Sequence, residues 1–365
     1  MKGPEPYPAV RAASRYGGIS FLSVFYVPFS LFQTFPININ QGTYYFRKMG
    51  EFQILNMIGD GNFSEVYIAI PKEIPVSENS KNLNYIIKIC KKNSMVGNNV
   101  HINPPKTILF TEISEIHLLN KIKNIGNANI IKMYDWTIDR NTCEVRILME
   151  YMPFDLRSYF SKDENVENLD ETKLKNITYQ ILNGLKSLHQ NRIIHFDLKP
   201  ENILYDPEDN NIKITDFSLS QYIIYDLDKK RLLNGGTFSY MPVEGLVNTK
   251  KYSFSYDIWS LGCILLELSC RLIPFKGKNQ HIVLNKIISF FGLNEGVLKN
   301  FDYYCKNNLG LNFEQLRIIN YIKKNIKIKL NDNGFIDLVS KMLCINPFYR
   351  INAEEALKHS WFVNK

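Results

Sequence analysis

The stretch "IIHFDLKPENIL", Ile193 to Leu204, sets a histidine, two acids, a lysine and an asparagine between apolar flanks. Asp197 is a carboxylate placed to accept a hydroxyl proton. Lys199 is a cation that can neutralise charge on a transferring phosphoryl group, and the amide oxygen of Asn202 can bind Mg2+. Downstream, "IKITDFSLS" puts Asp216 at the end of an apolar alternating run, where a second carboxylate can hold Mg2+ against phosphates. Metaphosphate-like charge calls for this set: metal, one cation and a positioned base, with little covalent chemistry.

Upstream, "IGDGNFSEVY" offers a candidate phosphate loop made of Ile58, Gly59, Asp60, Gly61, Asn62, Phe63, Ser64, Glu65 and Val66. Glycines let the backbone approach phosphates closely, although G-x-G alone is more often a plain hairpin turn. Ser64 stands where a third glycine would be expected. Lys88 in "YIIKIC" lies among apolar neighbours, and an unpaired buried ammonium is costly. Glu115, on the polar side of the apolar stripe Ile113, Ile116, Leu119 and Ile122, can pair with it. Taken alone, these two charges read rather as solvated surface; next to a glycine loop they read as a pair.

These groups need elements to hold them. From Glu51 to about Met152 the runs "FQILNMIG", "EVYIAI", "YIIKIC" and "VRILMEYM" read as strands, with one helix in "FTEISEIHLLNKIKN". The stretches "PKEIPVSENSKNLN" and "KKNSMVGNNVHINPP" read as loops. After Met152 the spacing turns helical in "TKLKNITYQILNGLKSLHQ", "DIWSLGCILLELS", "IVLNKIISFFG" and "GFIDLVSKMLCI". A β-rich part followed by an α-rich part predicts an α+β chain with two lobes and a cleft between them.

The 365 residues suffice for this, and 45% hydrophobic with 22% charged residues suits a large buried core. The net charge of +8 is spread out, with no long basic run, so it argues for no specific nucleic-acid partner. The six cysteines form no C-x-x-C pair, which disfavours zinc or a disulfide framework and fits a reducing, intracellular compartment, cytoplasm or nucleus. From Tyr16 to Phe46 there is no charged residue. Three readings stay open for this segment: a signal or membrane anchor, an extension (residues 1–51) outside the folded domain, or mistranslated non-coding sequence. Pro28 and the serines weigh against the first, and the extension is the preferred reading.

Taken together, H-F-D-L-K-P-E-N, D-F-S, the Pro242 to Glu244 triplet P-V-E, the glycine loop and Lys88 resemble the eukaryotic protein kinases over roughly residues 52 to 362. The resemblance implies a bilobal fold with N-lobe 52–152 and C-lobe 153–362, ATP and Mg2+ as cofactors, and transfer to Ser/Thr of protein substrates, with Tyr also open. Lys199 matches the serine/threonine pattern. Met149 falls at the gatekeeper, with the backbone of Glu150 and Met152 against adenine. Asp257 in "SYDIWSLGCILLEL" matches the acid that braces the catalytic loop, and Glu244 and Arg350 match a structural pair. The activation segment offers Ser220, Tyr222, Tyr225, Thr237, Ser239 and Tyr240, of which Thr237 matches the threonine that bonds the catalytic Asp and Lys. The long piece Lys276 to Asn331, with "HIVLNKIISFFGLNEG", is similar to the insert of the CMGC group, whose members include cyclin-dependent, LAMMER and dual-specificity kinases. "GGTFSYMPVE" instead looks like other groups.

Two departures stand out. Phe196 replaces the arginine that pairs with an activation-loop phosphate, which implies control without that phosphate. Ser218 replaces the glycine of D-F-G and narrows the conformations of Phe217, without saying which one is kept. A monomer acting on proteins, basic ones among them, is the leading expectation. A non-catalytic nucleotide-binding scaffold and small-molecule phosphotransfer are the alternatives. "SKDENVENLDET" reads as an acidic patch or a solvated linker.

Overall fold

The computed structural model describes residues 26–28, 49–60, 64–72, 84–90, 107–139, 144–223, 236–249, 252–293, 301–307, 311–331 and 333–363. The expectations for Gly61, Asn62, Phe63, Tyr225 and the two long polar loops of the first part fall mainly outside these residues, as does most of the apolar N-terminal segment. Three residues of that segment, β1 (Tyr26–Pro28), are described.

The first part is built on a five-stranded antiparallel sheet. Its strands are β2 (Phe52–Asp60), β3 (Ser64–Pro71), β4 (Tyr85–Cys90), β6 (Met133–Ile138) and β7 (Val145–Glu150), in the order β2-β3-β4-β7-β6. β4 lies at the centre, which explains its near-continuous apolar run: Ile86, Ile87 and Cys90 are all buried. β2 is the outer strand, and Ile54, Leu55, Met57 and Ile58 are exposed. β1 pairs antiparallel with β5 (Thr107–Leu109), which leads directly into α1 (Phe110–Lys123). α1 buries Ile116, Leu119 and Ile122, the stripe expected from the spacing. Sequence reasoning missed β6, because Asp135 and Thr137 dilute its apolar signal at the edge of the sheet.

The second part is mainly helical. α2 (Leu156–Tyr159), α3 (Asp163–Glu167) and α4 (Glu171–Gln190) come first. Two short antiparallel sheets follow, one of β8 (Phe154–Asp155), β10 (Ile203–Asp206) and β11 (Asn211–Ile214), the other of β9 (Ile193–Ile194) and β12 (Gln221–Tyr222). α5 (Val243–Leu246), α6 (Ser255–Cys270) and α7 (Gln280–Phe291) come next, then helices Phe301–Asn307, Leu311–Asn325, Gly334–Met342, Ala353–Leu357 and Ser360–Val363. α6 is buried from Tyr256 to Cys270, as a helix apolar on all sides must be. This β-rich first part and helical second part make the α+β, bilobal architecture that the sequence predicts.

The acidic stretch differs from a solvated linker. Asp163 to Glu167 form α3, and Asp170 caps α4 by accepting from the Lys173 amide at 2.7 Å. Glu171 is buried and accepts from Trp361 Nε1 at 2.7 Å and the Asn331 amide at 2.6 Å. A buried carboxylate that takes two such bonds is structural, and no sequence spacing could reveal partners so far away along the chain.

Candidate active site

Strand register aligns the first group of candidates. Gly59 pairs with Val66, Val66 with Lys88 and Lys88 with Ile147, so these residues form one row across the sheet. Directly paired residues share a face. This row sets Gly59 beside Val66 and the lysine, with Asp60 paired to Glu65 and Ser64 paired to Cys90 at the strand ends. Lys88 Nζ donates to Glu115 Oε1 at 2.6 Å and to Asp216 Oδ1 at 3.2 Å. Burial works against the charge on Lys88, but attraction to Glu115 and Asp216 outweighs it and holds the ammonium well above its usual range. For Asp216, burial favours the neutral form, yet Lys88 and the Ser218 hydroxyl overcome it and hold the carboxyl well below its usual range. Lysine and aspartate therefore face each other fully charged.

Ser218 thus has a definite role: its side chain helps hold the Asp216 carboxyl in its charged form. Phe217 is buried and meets the His195 ring edge-on at 5.2 Å. The state that the sequence left open is the one with Asp216 turned toward Lys88 and Phe217 turned into the core.

Asp197 is the centre of the second group. Its Oδ1 accepts from the Thr237 amide at 2.8 Å and from Thr237 Oγ1 at 3.0 Å. Its Oδ2 accepts from Lys199 Nζ at 2.7 Å and from Asn202 Nδ2 at 3.2 Å. Lys199 also donates to Thr237 Oγ1 at 3.2 Å. Asn202 spends its NH2 group on the Asp197 carbonyl at 2.8 Å, which leaves its amide oxygen available as a ligand. Gly236 has φ +104 and lies against the catalytic loop, with a virtual Cβ 3.8 Å from Asp197 Oδ1. That backbone shape favours glycine and lets the Thr237 amide reach the carboxylate.

The loop itself is held from below. Asp257, fully buried, accepts from the His195 amide at 2.9 Å and the Phe196 amide at 3.0 Å. His189 Nε2 lies 2.9 Å from the same carboxylate. Phe196 has φ +66, an arrangement that costs a non-glycine residue about 1–2 kcal/mol. The two bonds to Asp257 hold that strained turn in place. Asp216 also has positive φ, +62, which turns its carboxylate toward Lys88.

The activation segment is tied down at several points. Arg350 Nη1 donates to Glu244 Oε1 at 2.8 Å, with both side chains almost wholly buried. Arg350 also donates to the Ser255 and Cys344 carbonyls. Ser220 is buried and donates to the His195 carbonyl at 3.0 Å, and Ser239 Oγ accepts from the Gly277 amide at 3.4 Å. Tyr222 lies in β12 with the Lys121 ammonium 3.8 Å from its ring centroid. Sequence reasoning missed one cluster altogether. Arg157 donates to Glu201 at 3.0 Å, to Glu267 and to the Tyr240 hydroxyl, and that hydroxyl donates to Glu267 at 2.6 Å. These four residues come from four separate elements, so no local pattern could signal them.

Met149 and Met152 are buried where β7 ends. Glu150 donates its amide to the Lys132 carbonyl at 3.0 Å, and its carboxylate meets Lys213 at 3.1 Å. Ile58 stays exposed on β2. Among the described residues no group of three or more His, Cys, Asp or Glu could hold a metal by itself. Asn202 and Asp216 are hard oxygen donors, which suits Mg2+ that takes its remaining ligands from phosphates and water.

Comparison with known proteins agrees with this geometry. The protein kinase domain family matches residues 52–362. Cyclin-dependent kinase G1 of Arabidopsis thaliana is 30% identical over 324 residues, which is 87% of this chain and 49% of that protein. Cyclin-dependent kinase 11 of Dictyostelium discoideum is 30% identical over 320 residues, 87% of this chain and 81% of that protein. Cyclin-dependent kinase 1 of Encephalitozoon cuniculi is 29% identical over 316 residues, 85% of this chain and 96% of that protein. The chain spans as little as 20% and 49% of the length of some curated relatives that it matches. With its site assembled as above and its relatives among the cyclin-dependent kinases, this chain belongs to the protein kinase family, in its CMGC group.

Proposed function

We propose that the chain is an ATP- and Mg2+-dependent protein kinase that phosphorylates Ser/Thr of protein substrates, Tyr remaining open. The carrying observation is the closed contact of Lys88 with both Glu115 and Asp216, because it sets a fixed cation beside a metal-binding carboxylate. In this reading residues 52–362 are the catalytic domain, divided after Met152, and residues 1–51 are an extension. Lys88 orients the nucleotide phosphates. Asp197 orients and deprotonates the substrate hydroxyl, and Lys199 offsets charge developing on the transferred group. Asn202 and Asp216 would hold Mg2+, which supplies charge neutralisation at the phosphates when bound. Ile58, Val66, Met149, Glu150 and Met152 line the nucleotide, and the Glu244–Arg350 pair supports the peptide platform.

The assay is phosphate incorporation from labelled ATP into mixed basic and proline-containing peptides, run beside Asp197→Asn and Lys88→Met. Wild type should transfer and both variants should not. Equal incorporation by all three sinks the reading. Nucleotide binding without transfer by wild type favours the scaffold. The relatives named above are cyclin-dependent by description, and the expectation of a monomer is tested against that. A purified chain that is inactive until a cyclin-type protein is added would replace the monomer reading. An intracellular setting, cytoplasm or nucleus, is proposed from the buried free thiols of Cys263 and Cys270. Among the described residues no helix is long and apolar enough to cross a membrane.

A further inference from the structure

Phe196 stands directly before the base, and its side chain turns away from the polar site. Its ring centroid is 5.7 Å from that of Tyr252 at 85° and 5.0 Å from that of Tyr256 at 70°. Tyr252 and Tyr256 meet each other at 6.1 Å and 83°. Three edge-to-face pairs thus close a triangle, the arrangement in which ring quadrupoles attract. The triangle joins the catalytic loop to the start of α6 and to the residues just before it. Phe196 and Tyr256 are buried and Tyr252 is half-buried. The Tyr256 hydroxyl has no hydrogen-bond partner among the described residues, so that side chain acts here through its ring. Asp257, next to Tyr256, carries the two bonds that hold the positive-φ turn at Phe196. The rings therefore close over the same peptide that Asp257 grips, one residue from Asp197.

We propose that Phe196, Tyr252 and Tyr256 form an aromatic clasp that positions Asp197 from within the fold. The catalytic loop is then set without a phosphate on the activation segment. The three are positioning residues: none touches the reacting atoms, and they act by keeping the loop strained and in register. The proposal rests on the kinase reading above. An arginine in place of Phe196 would need an anionic partner to be held there. Rings need only one another, so the clasp is always closed.

The test uses the full chain, made in bacteria and treated with phosphatase, with ATP and a Ser/Thr peptide mixture. Treated wild type should keep its rate. Tyr252→Ala and Phe196→Leu should lower kcat by about ten- to a hundredfold with KM for ATP unchanged, the loss expected of a slightly misplaced base. Tyr252→Phe, which keeps the ring, should restore kcat. Wild-type kcat in both Tyr252→Ala and Phe196→Leu overturns the clasp. So does a wild type that loses activity with phosphatase and regains it on rephosphorylation. Amide exchange at His195 and Phe196, read in the same samples, needs no turnover. Faster exchange in Tyr252→Ala supports the clasp and unchanged exchange overturns it, even if wild type transfers no phosphate and the kinase reading itself falls.

Discussion

The catalytic loop has two faces, and they are built by different physics. On one face Asp197 meets Lys199, Asn202 and Thr237 through directional hydrogen bonds of 2.7 to 3.2 Å. On the other, Phe196 meets two tyrosine rings through area and quadrupole. The polar face depends on atom type and angle, so a change of one atom should remove function at little cost to folding. The aromatic face depends on shape and volume, so changes that keep a ring should be tolerated. The lesson is that chemistry and its positioning sit back to back in one short loop, and they fail in different ways.

The sharpest way to break that division is Asp197→Asn. It keeps the shape of the polar face and should lower kcat by about three orders of magnitude, within the range for loss of a general base, while urea unfolding stays near wild type. A large stability loss instead would show that the polar face also holds the fold. Glu244→Gln should do the reverse. Breaking a fully buried ion pair costs about 3–5 kcal/mol, because Arg350 is left buried without its partner. The urea midpoint measures it, and an unchanged midpoint would refute the structural assignment.

Smaller effects sharpen the contrast. Arg157→Ala loosens the tie between Tyr240, Glu201 and Glu267. Its side chain is 35% exposed, so solvent screening limits the loss to about 1 kcal/mol in the same unfolding assay. Acid should expose the Lys88–Asp216 contact. The Asp216 carboxyl is depressed in the folded chain, so its contribution is fully present above the ordinary aspartate pKa. That contribution fades progressively as pH falls from there through the lower folded value. Stability plotted against pH should therefore show a shallower acid slope in Asp216→Asn than in wild type. Tyr256→Phe should be the mildest change, neutral or stabilising by up to about 1 kcal/mol, because it removes a buried hydroxyl that has no partner. A marked loss of kcat there would show that the clasp works through the hydroxyl after all.

Much of the site was legible because its spacing is local. Asp197, Lys199 and Asn202 lie within six residues, and the loop that carries them is short enough that order along the chain becomes order in space. The strands holding Gly59, Val66 and Lys88 were legible from apolar runs, and so was the apolar stripe of α1. The fate of Glu171 was not, since its donors, Trp361 and Asn331, come from the far end of the chain. Nor was the Arg157 cluster, whose partners come from the catalytic loop, the activation segment and α6. Ser218 shows the limit on a single residue. The sequence says that glycine is missing, and only the fold sets the serine side chain where it helps keep Asp216 charged.

By itself, then, the sequence determined the list of reacting groups and the alternation of β-rich and helical parts, because residue type and short spacing carry both. The tertiary structure decided which charges meet, which way Asp216 and Phe217 face, and what occupies the place beside Phe196. Those choices depend on contacts between segments distant along the chain, and burial and strain at each contact settle them only once the core has closed.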